Sequence, residues 1–375
     1  LLQEPYLDTK KYQKLIYDYL YTSCAVYFSL KKSIVKQGID RLYIYNGRFA
    51  HVRAALSACQ EVNIECVLHE NGCNKDHYSL YYNQMPQKKA YIHQLIKDQW
   101  DNSPKTEEEK IKIGSSFFQG NSNAEDQGWF SFVKNQKKGE LPDNWNASKK
   151  NIVIFNSTED EFYCLDKEWY NDVYLNQLTG IKQIIKDTEN WEDYHFYLRV
   201  HPHLHIKKSK ELIELYKLKG KNFTLIKSDS SISSYALLSN CEKVLTFGST
   251  MGIEATFWKK PSLVAGITNY EHLNANYKVH SHEELLDLLQ KDLKPKDQLG
   301  AFIYGYYYKT FGTPFKTYKA ESVGYGEWKG ENIHANYATS RERNLRRFLK
   351  LPGMGLFKNK IDKIAYEKAK SKFFN

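Results

Sequence analysis

Apolar and polar positions in the first part of the chain alternate between helix-like and strand-like patterns. Residues 10–38 carry apolar and aromatic side chains at spacings of three and four, which predicts a helix. The stretch DRLYIYNGR then predicts a buried strand that ends in a glycine turn. A helix over Ala50–Glu61 and a second strand, IECVLHENG, follow. Because a strand, a helix and a strand alternate, we expect a parallel sheet.

The same alternation restarts after residue 150 and continues to residue 266. The apolar runs that predict strands are NIVIFNS, YHFYLRVHP, NFTLIKS, KVLTFGS and PSLVAG. The helices predicted between them cover Tyr174–Lys186, Lys208–Lys217, Ser233–Ser239 and Met251–Trp258. Such a series is typical of a doubly wound sheet with helices on both faces.

A polar stretch separates the two patterned parts. Residues 105–150 show no sustained period, so we place a domain boundary near their end. The predicted fold class is α/β, with one Rossmann-like domain over 1–148 and a second over 149–320. The basic segment 321–375 is predicted to be helical and able to cross back to the first domain. The tyrosine-rich stretch AFIYGYYYKTFGTPFKTY can stack on sugars, but a packed connection between domains is the more common use of such a segment.

Composition fits a globular protein. The chain has 375 residues, of which 41% are hydrophobic and 15% aromatic, enough to fill two cores. Its six cysteines form no CxxC pair and no zinc-type cluster, so we expect reduced thiols and a cytoplasmic protein. No segment has the composition of an export signal or of a membrane-spanning helix.

The charge is positive and uneven. The net charge is +10, and residues 341–375 hold eleven Lys and Arg against three Asp and Glu. This end of the chain should favour anionic surfaces, either an anionic membrane or an anionic ligand. The sequence lacks a zinc finger, an RNP-type strand and a basic zipper, so we expect no nucleic-acid partner.

The stretch FGSTMGIEA joins a predicted strand to a predicted helix. Gly248 lets the backbone approach a ligand closely, and Ser249 or Thr250 can cap the helix. Free amides and the positive helix end would then hold a phosphate. Glu254 can reach a ribose hydroxyl, or it can simply complement the helix dipole. An ordinary capped turn explains the same residues equally well.

The stretch RVHPH places a histidine where another strand of the same sheet ends. His201 can donate to a phosphate oxygen, Pro202 fixes the exit of the chain, and Arg199 can add charge. A lone histidine is more often a packing or surface residue. A His-Pro and a Gly-Ser-Thr at the carboxyl ends of strands in one sheet are together a stronger indication of a ligand site.

Carboxylates also follow two strands of this sheet. Glu159 and Glu161 come directly after the first strand, where they can serve as acid, base or nucleophile, or can begin a solvated helix. Asp229 follows the third strand within IKSDSSISSY. Its position suits a nucleophile, although an aspartate among serines is more often a cap or turn residue.

Polar residues also follow the strands of the first domain. Asn46, Gly47 and Arg48 end one strand, and Arg53 lies one turn into the next helix. These residues can bind an acceptor or the carboxylate of an acidic sugar, or they can form an exposed asparagine-glycine turn. His203 and His205 lie near His201 without a third ligand, so we predict that no metal is required.

The order of these motifs resembles that of a known family. FNSTEDE, RVHPH, SSYALL and VLTFGSTMGIEATFWKKPSLV, preceded by YNGRFAHVRAA and HENG, resemble bacterial capsule and lipopolysaccharide glycosyltransferases, especially capsule-type β-Kdo transferases. The His-Pro and Ser-Thr motifs are also similar to those of CMP-sugar sialyltransferases. The resemblance runs from about Tyr43 to Gly266 and leaves both termini uncovered. It implies a GT-B-like architecture, in which two Rossmann-like domains face each other across a cleft.

The resemblance also implies roles for single residues. His201, Ser249 and Thr250 would bind the phosphate and cytidine of the donor. HENG has Asn71 where sialyltransferases have a second acidic residue, which leaves Glu70 as its single carboxylate. We therefore place Glu70 on the acceptor or sugar side, and its part in catalysis stays open.

The resemblance predicts an enzyme that transfers Kdo from CMP-Kdo to a saccharide acceptor, free or lipid-linked, in the biosynthesis of capsule or lipopolysaccharide O-antigen. The nucleotide sugar is a substrate, and no cofactor is expected. We expect the protein in the cytoplasm, in peripheral contact with an anionic membrane. Alternatives are a UDP- or GDP-sugar transferase, a teichoic-acid-type glycerophosphotransferase, and a non-catalytic protein that binds sugar or nucleic acid.

Overall fold

A computed structural model describes residues 8–127, 129, 131–159, 165, 167–204, 210–322 and 325–334. The chain divides into two compact units, Leu1–Phe315 and Lys316–Asn375. The domain boundary predicted at residue 148 lies inside the first unit, just before a strand begins, and stays a prediction.

The N-terminal sheet of the first unit begins with the predicted alternation of helices and strands. Its first elements are α1 (Gln13–Gln37), β1 (Arg41–Tyr45), α2 (Ala50–Glu61) and β2 (Glu65–Asn71). As predicted, β1 and β2 are parallel, with Arg41 opposite Glu65 and Tyr45 opposite His69. The sheet then departs from a parallel arrangement, because β3 (His77–Tyr82) and β10 (Thr313–Pro314) pair antiparallel to their neighbours.

The C-terminal sheet is parallel throughout. Its strands are β4 (Lys150–Phe155), β5 (Tyr194–Arg199), β6 (Phe223–Ile226), β7 (Lys243–Thr246), β8 (Ser262–Val264) and β9 (Tyr277–Lys278). The spatial order is β6-β5-β4-β7-β8-β9, so the direction of winding reverses between β4 and β7. The predicted doubly wound sheet is therefore confirmed, with β9 as a further strand. Ligands of such sheets bind at the carboxyl ends of the strands where the order reverses.

Apolar side chains cover both faces of this sheet. Ile152 and Ile154 of β4 belong to one buried cluster, whereas Val153 and Phe155 belong to another. The helices that flank the strands are α5 (Gln177–Asp187), α6 (Lys210–Leu215), α7 (Ser234–Asn240), α8 (Met251–Phe257) and α9 (His282–Gln290). Because successive side chains of a strand point to opposite faces, an unbroken apolar run is what a doubly covered strand requires.

Three helices connect the two sheets. They are α3 (Lys89–Asp101), α4 (Glu107–Ser122) and α10 (Leu299–Thr310). Helix α10 packs on α3 and α4, and β10 then joins the N-terminal sheet. An added Cβ at Gly305 would collide with the Gly114 carbonyl oxygen, so α4 and α10 touch through their backbones. The prediction of a packed crossing in the tyrosine-rich stretch is confirmed for α10.

The polar stretch 105–150 contains α4, which the sequence analysis missed. Thr106 caps this helix, since its hydroxyl accepts from the Glu109 amide and the Glu109 carboxylate accepts from the Thr106 amide. This capping box was a readable signal. Gly114 and Gly120 lie inside the helix and obscure its apolar stripe.

The second unit contains an antiparallel sheet of β11 (Tyr318–Ser322), β12 (Tyr325–Trp328) and β13 (Glu331–His334). The prediction that the segment from residue 321 is helical is wrong for these strands. Alternating side chains favour strands here, and Lys329 and Gly330 have the positive φ values of a tight turn. Residues 335–375, including the basic end, lie outside the described residues. No helix in the described part of the chain is long and apolar enough to cross a membrane.

Candidate functional site

A pocket lies at the carboxyl ends of β4, β5 and β7, where the strand order reverses. Its walls come from the end of α4, residues 129, 131–133 and 136, and the starts of α7 and α8. The predicted site residues that line it are Arg199, His201, Pro202, Ser249, Thr250 and Glu254.

The turn after β7 differs from the predicted phosphate cradle. The Thr246 side-chain oxygen accepts from the amides of Gly248 at 3.0 Å and Ser249 at 2.9 Å. The Ser249 hydroxyl oxygen accepts from the Met251 amide at 3.3 Å. The prediction of free amides is therefore wrong for Gly248, Ser249 and Met251. Thr246 is fully buried, and its hydroxyl group has its hydrogen-bonding partners inside the turn.

Gly248 is required by the geometry of this turn. Its φ is +122°, and an added Cβ would lie 2.9 Å from the Ile267 carbonyl oxygen. Ser249 is buried, whereas Thr250 is exposed at the mouth of the pocket. The turn thus offers two hydroxyl groups to the pocket, one fixed and one accessible to solvent.

Glu254 is a buried carboxylate in the wall of the pocket. Only 4% of the residue is exposed, and burial raises its pKa to about 7. The Tyr235 hydroxyl donates to its Oε2 at 2.5 Å, and Asn121 Nδ2 donates to its Oε1 at 3.5 Å. The hydrogen-bond partners found for this carboxylate are neutral groups, and none of them is a cation. Glu254 therefore retains its proton up to near-neutral pH.

His201 is half-buried at the end of β5. Its amide donates to Asn156 Oδ1 at 2.8 Å, which ties the strand end to that of β4. Its Nδ1 accepts from the His203 amide at 3.2 Å. A neutral imidazole that accepts at Nδ1 carries its proton on Nε2, which makes Nε2 the donor.

Arg199 lines the pocket but also supports a loop. The residue is 2% exposed; its Nη1 donates to the Lys227 carbonyl and its Nη2 to the Ser230 carbonyl at 3.1 Å. Burial lowers the pKa of its guanidinium to about 10. Its Nε is buried without a hydrogen-bond partner among the described residues. Arg199 therefore holds the turn that carries Asp229 and keeps one donor unused.

The predicted carboxylates lie in different surroundings. Asp229 is exposed on the turn that Arg199 holds, and it does not line the pocket. Glu159 is half-buried, and both its carboxylate oxygens accept from the Gln177 amide, at 3.1 and 3.0 Å, at the start of α5. Glu161 lies outside the described residues. The choice among these three stays a prediction.

A second polar cluster lies at the carboxyl ends of β1 and β2. Asn46 Nδ2 donates to Glu70 Oε1, and the Asn46 side-chain oxygen accepts from Arg48 N and Nε, each at 3.0 Å. Asn46 and Gly47 both have positive φ, +66° and +82°. Burial raises the pKa of Glu70, and the Arg48 guanidinium opposes this shift. The structure thus brings four of the five predicted acceptor-side residues together.

Arg53 lies apart from that cluster. It lines a separate polar pocket between α2 and the segment after β3, together with Gln60, Gln84 and Lys88. This pocket is rich in amide side chains, which the sequence analysis did not single out.

Several residues of the pocket at the strand-order reversal were missed. They are Asn121, Trp129, Phe132, Gln136, Asn156 and Tyr235. Asn156 directly follows β4, and this position at the carboxyl end of a strand could have identified it as a candidate site residue. Asn121, Trp129, Phe132 and Gln136 belong to the polar stretch before β4, which carries no strand-end signal. Among the described residues no three His, Cys, Asp or Glu side chains gather as metal ligands. Metal independence stays a prediction.

No protein-family model and no curated protein matches the chain. Among solved structures, it is similar to the β-Kdo 2,4 transferase of Thermosulfurimonas dismutans KpsC, at 13% identity over 72% of this chain and 79% of that chain, with a TM-score of 0.47. The β-Kdo 2,7 transferase of the same KpsC has 14% identity over 84% and 89%, with a TM-score of 0.43.

Methanocaldococcus jannaschii UDP-GlcNAc 2-epimerase, solved with UDP-GlcNAc and UDP, has 15% identity over 75% of this chain and 78% of that chain, with a TM-score of 0.30. Every one of these TM-scores lies below 0.5. The fold therefore rests on the chain's own strand order. The α/β fold class predicted from the sequence is confirmed, and the six-stranded C-terminal sheet is doubly wound as predicted, whereas the four-stranded N-terminal sheet contains antiparallel pairs.

Proposed function

We propose that the protein is a glycosyltransferase of bacterial surface polysaccharide biosynthesis, and that it transfers Kdo from CMP-Kdo to a saccharide acceptor. The observation that carries the proposal is the pocket at the strand-order reversal. Its wall combines His201, the Ser249–Thr250 turn and the buried Glu254. Doubly wound sheets bind nucleotides at this position.

In this proposal the donor phosphate lies between His201 and the turn after β7. The Nε2 proton of His201 and the hydroxyl groups of Ser249 and Thr250 would donate to the phosphate oxygens as the bond to the sugar breaks. Donors that are fixed before the reaction stabilise such developing charge without reorganisation. Glu254 would accept from a ribose hydroxyl, since Tyr235 and Asn121 already hold its carboxylate in place.

A carboxylate from Asp229, Glu159 or Glu161 would act as base or, if configuration is retained, as nucleophile. The acceptor sugar would contact Asn46, Arg48 and Glu70, with Arg53 at a more distant position. The acceptor is free or lipid-linked. Contact with an anionic membrane at the cytoplasmic face would come from the basic residues 341–375, a proposal that rests on their charge.

Calorimetric titration with CMP, UDP and GDP tests the donor class. We expect one site per chain and a clear preference for CMP. Preference for UDP or GDP would favour a transferase that uses a UDP- or GDP-sugar as its donor instead of CMP-Kdo. A chain that binds none of the three would contradict the proposal and favour a non-catalytic role.

A further inference from the structure

Helix α1 exposes an apolar stripe along most of its length. The helix has 25 residues, of which Ile34 is the one that is fully buried. Val26, Leu30 and Ile34 contact the N-terminal core. On another face, Tyr17 is 67% exposed, Tyr21 68%, Phe28 65% and Val35 73%. A contiguous exposed row of this kind marks an interaction surface rather than a solvated face.

The stripe has the spacing of a two-helix seam. Its positions are Tyr17, Tyr21, Cys24, Phe28, Lys31 and Val35, which alternate in steps of four and three residues. Side chains at this spacing form the seam along which two α-helices pack. Lys31 is the polar member, and its ammonium group already pairs with Glu61 at 3.4 Å.

We propose that α1 joins two copies of this chain as an antiparallel helix pair. With Cys24 placed opposite Phe28 of the second copy, Tyr21 faces Lys31 and Tyr17 faces Val35. The Lys31 ammonium group of each copy then meets an aromatic ring, a favourable contact. A parallel pair would instead place the two Lys31 side chains against each other, which costs energy.

The charges that flank the stripe fit the same register. Asp18 and Lys32 lie on one edge of the seam, and the antiparallel pairing places Asp18 of each copy beside Lys32 of the other. The small Ala25 lies midway between Asp18 and Lys32 in the sequence, so Ala25 of one copy faces Ala25 of the other. This contact is self-complementary and closes after two copies, as a twofold interface requires.

Sedimentation of the full chain tests the pairing. We expect a dimer for the wild type, and a dissociation constant raised at least about thirtyfold by Phe28→Asp, since a charge would enter the centre of the seam. Ser29→Asp is the matched control, because Ser29 is exposed on the same helix outside the stripe. It should leave the dimer intact. Circular dichroism should show the same folded state in both variants, because both positions are exposed, whereas the melting temperature of Phe28→Asp should lose the dependence on protein concentration that a dimer confers.

Charge exchange tests the register. Lys32→Glu alone and Asp18→Lys alone should each weaken the dimer several-fold, because each creates two like-charge contacts per pair. The double variant Asp18→Lys with Lys32→Glu should restore the wild-type dissociation constant. Failure of the double variant to recover would overturn the antiparallel register.

Disulfide formation tests the direction of the helices. Under a mild oxidant the Phe28→Cys variant should form a cross-linked dimer through Cys24 and the introduced thiol, and the further change Cys24→Ser should abolish it. The wild type should form no cross-link through Cys24. A Cys24–Cys24 cross-link in the wild type would indicate a parallel pair and contradict the proposal.

Two other results would also overturn it. A wild-type chain that stays monomeric at the highest concentration reached has no such interface. A monomer that sediments with phosphatidylglycerol vesicles, and loses this property with Phe28→Asp, uses the stripe as a membrane-binding surface instead.

Discussion

Glu254 in the C-terminal half and Glu70 in the N-terminal half are both carboxylates whose pKa is raised by burial, yet their neighbours differ. Glu254 is held by the neutral donors Tyr235 and Asn121. Glu70 accepts from Asn46, and the Arg48 guanidinium lowers its pKa again. The hydrogen-bond partners found for Glu254 are thus neutral, whereas the N-terminal cluster holds a cation beside its carboxylate.

This difference fits the proposed division of the reaction between the two halves. A pocket that contains the Arg199 guanidinium and an acid that stays protonated to near-neutral pH suits an anionic ligand such as a nucleotide. A cluster with a built-in cation and anion suits the hydroxyl groups of a sugar. Substitutions in the two halves should therefore have different effects on turnover, stability and titration.

The largest effect is expected for the essential carboxylate of the C-terminal half. If Asp229 is the nucleophile, Asp229→Ala should lower turnover at least about a thousandfold. Glu70→Ala, in the N-terminal half, should lower it far less. Intact-protein mass after incubation with donor alone should show an added sugar that Asp229→Ala abolishes. If Asp229→Ala stays active while Glu159→Ala or Glu161→Ala is inactive, the acidic cluster carries the chemistry.

The second effect is a pH dependence of stability. The pKa of Glu254 is raised from 4.5 to about 7 in the folded chain. The folded state therefore keeps a proton that the unfolded state has lost, and the free energy of unfolding falls as pH rises from about 4.5 to 7. The loss is about 3 kcal/mol.

Glu254→Gln should remove this fall, which denaturant titrations at several pH values would measure. Glu70→Gln is the control from the other half. Glu70→Gln should also reduce the fall in the free energy of unfolding with pH, but by less than Glu254→Gln does, because Arg48 opposes the pKa shift of Glu70. An equal pH dependence in the wild type and in Glu254→Gln would show that Glu254 is not the titrating group.

The third effect concerns the two glycine turns. Gly248→Ala should cost about 3 kcal/mol of stability, since φ is +122° and the new Cβ meets a backbone oxygen. Gly47→Ala should cost about 1 to 2 kcal/mol, because its Cβ meets the movable tip of the Leu68 side chain. Gly139→Ala is the control for backbone strain alone, since φ is +83° and no atom lies within 4 Å. Thermal unfolding would rank the three; a Gly248→Ala as mild as Gly139→Ala would refute the close contact.

The smallest effect is expected for Arg48→Ala. Removal of this exposed cation should raise the pKa of Glu70 further, because Arg48 opposes the effect of burial. Stability should change by less than about 1 kcal/mol. Titration of the Glu70 side chain by carbon-13 NMR would measure the shift. A pKa that falls would mean that Arg48 is not the countercharge of Glu70.

The sequence predicted the C-terminal half better than the N-terminal half, for a physical reason. Strands β4 to β8 are short apolar runs that a doubly covered sheet requires, and their ends carry His201 and the Gly248–Thr250 turn. By contrast, β3 and β10 pair antiparallel across a long separation in sequence, which no local pattern encodes. Helix α4 was missed because glycines interrupt its apolar positions.

The strand ends of the sequence were sufficient to locate the site, but they did not identify all the residues that line it. Asn121 and Tyr235 enter the pocket from helices, so their contact with Glu254 depends on packing rather than on spacing. The hydrogen bonds of Thr246 to the following amides likewise depend on the exact path of the turn. Local sequence indicates that a turn is present, but it does not show which oxygen its amides meet.

Calorimetric titration of CMP into three proteins tests whether the pocket at the strand-order reversal is the donor site: the wild type, His201→Ala from the C-terminal half and Arg53→Ala from the N-terminal half. We expect binding to the wild type, a loss of about 1.5 to 3 kcal/mol of binding free energy in His201→Ala, and wild-type affinity in Arg53→Ala. Wild-type affinity in His201→Ala together with weakened binding in Arg53→Ala would contradict it.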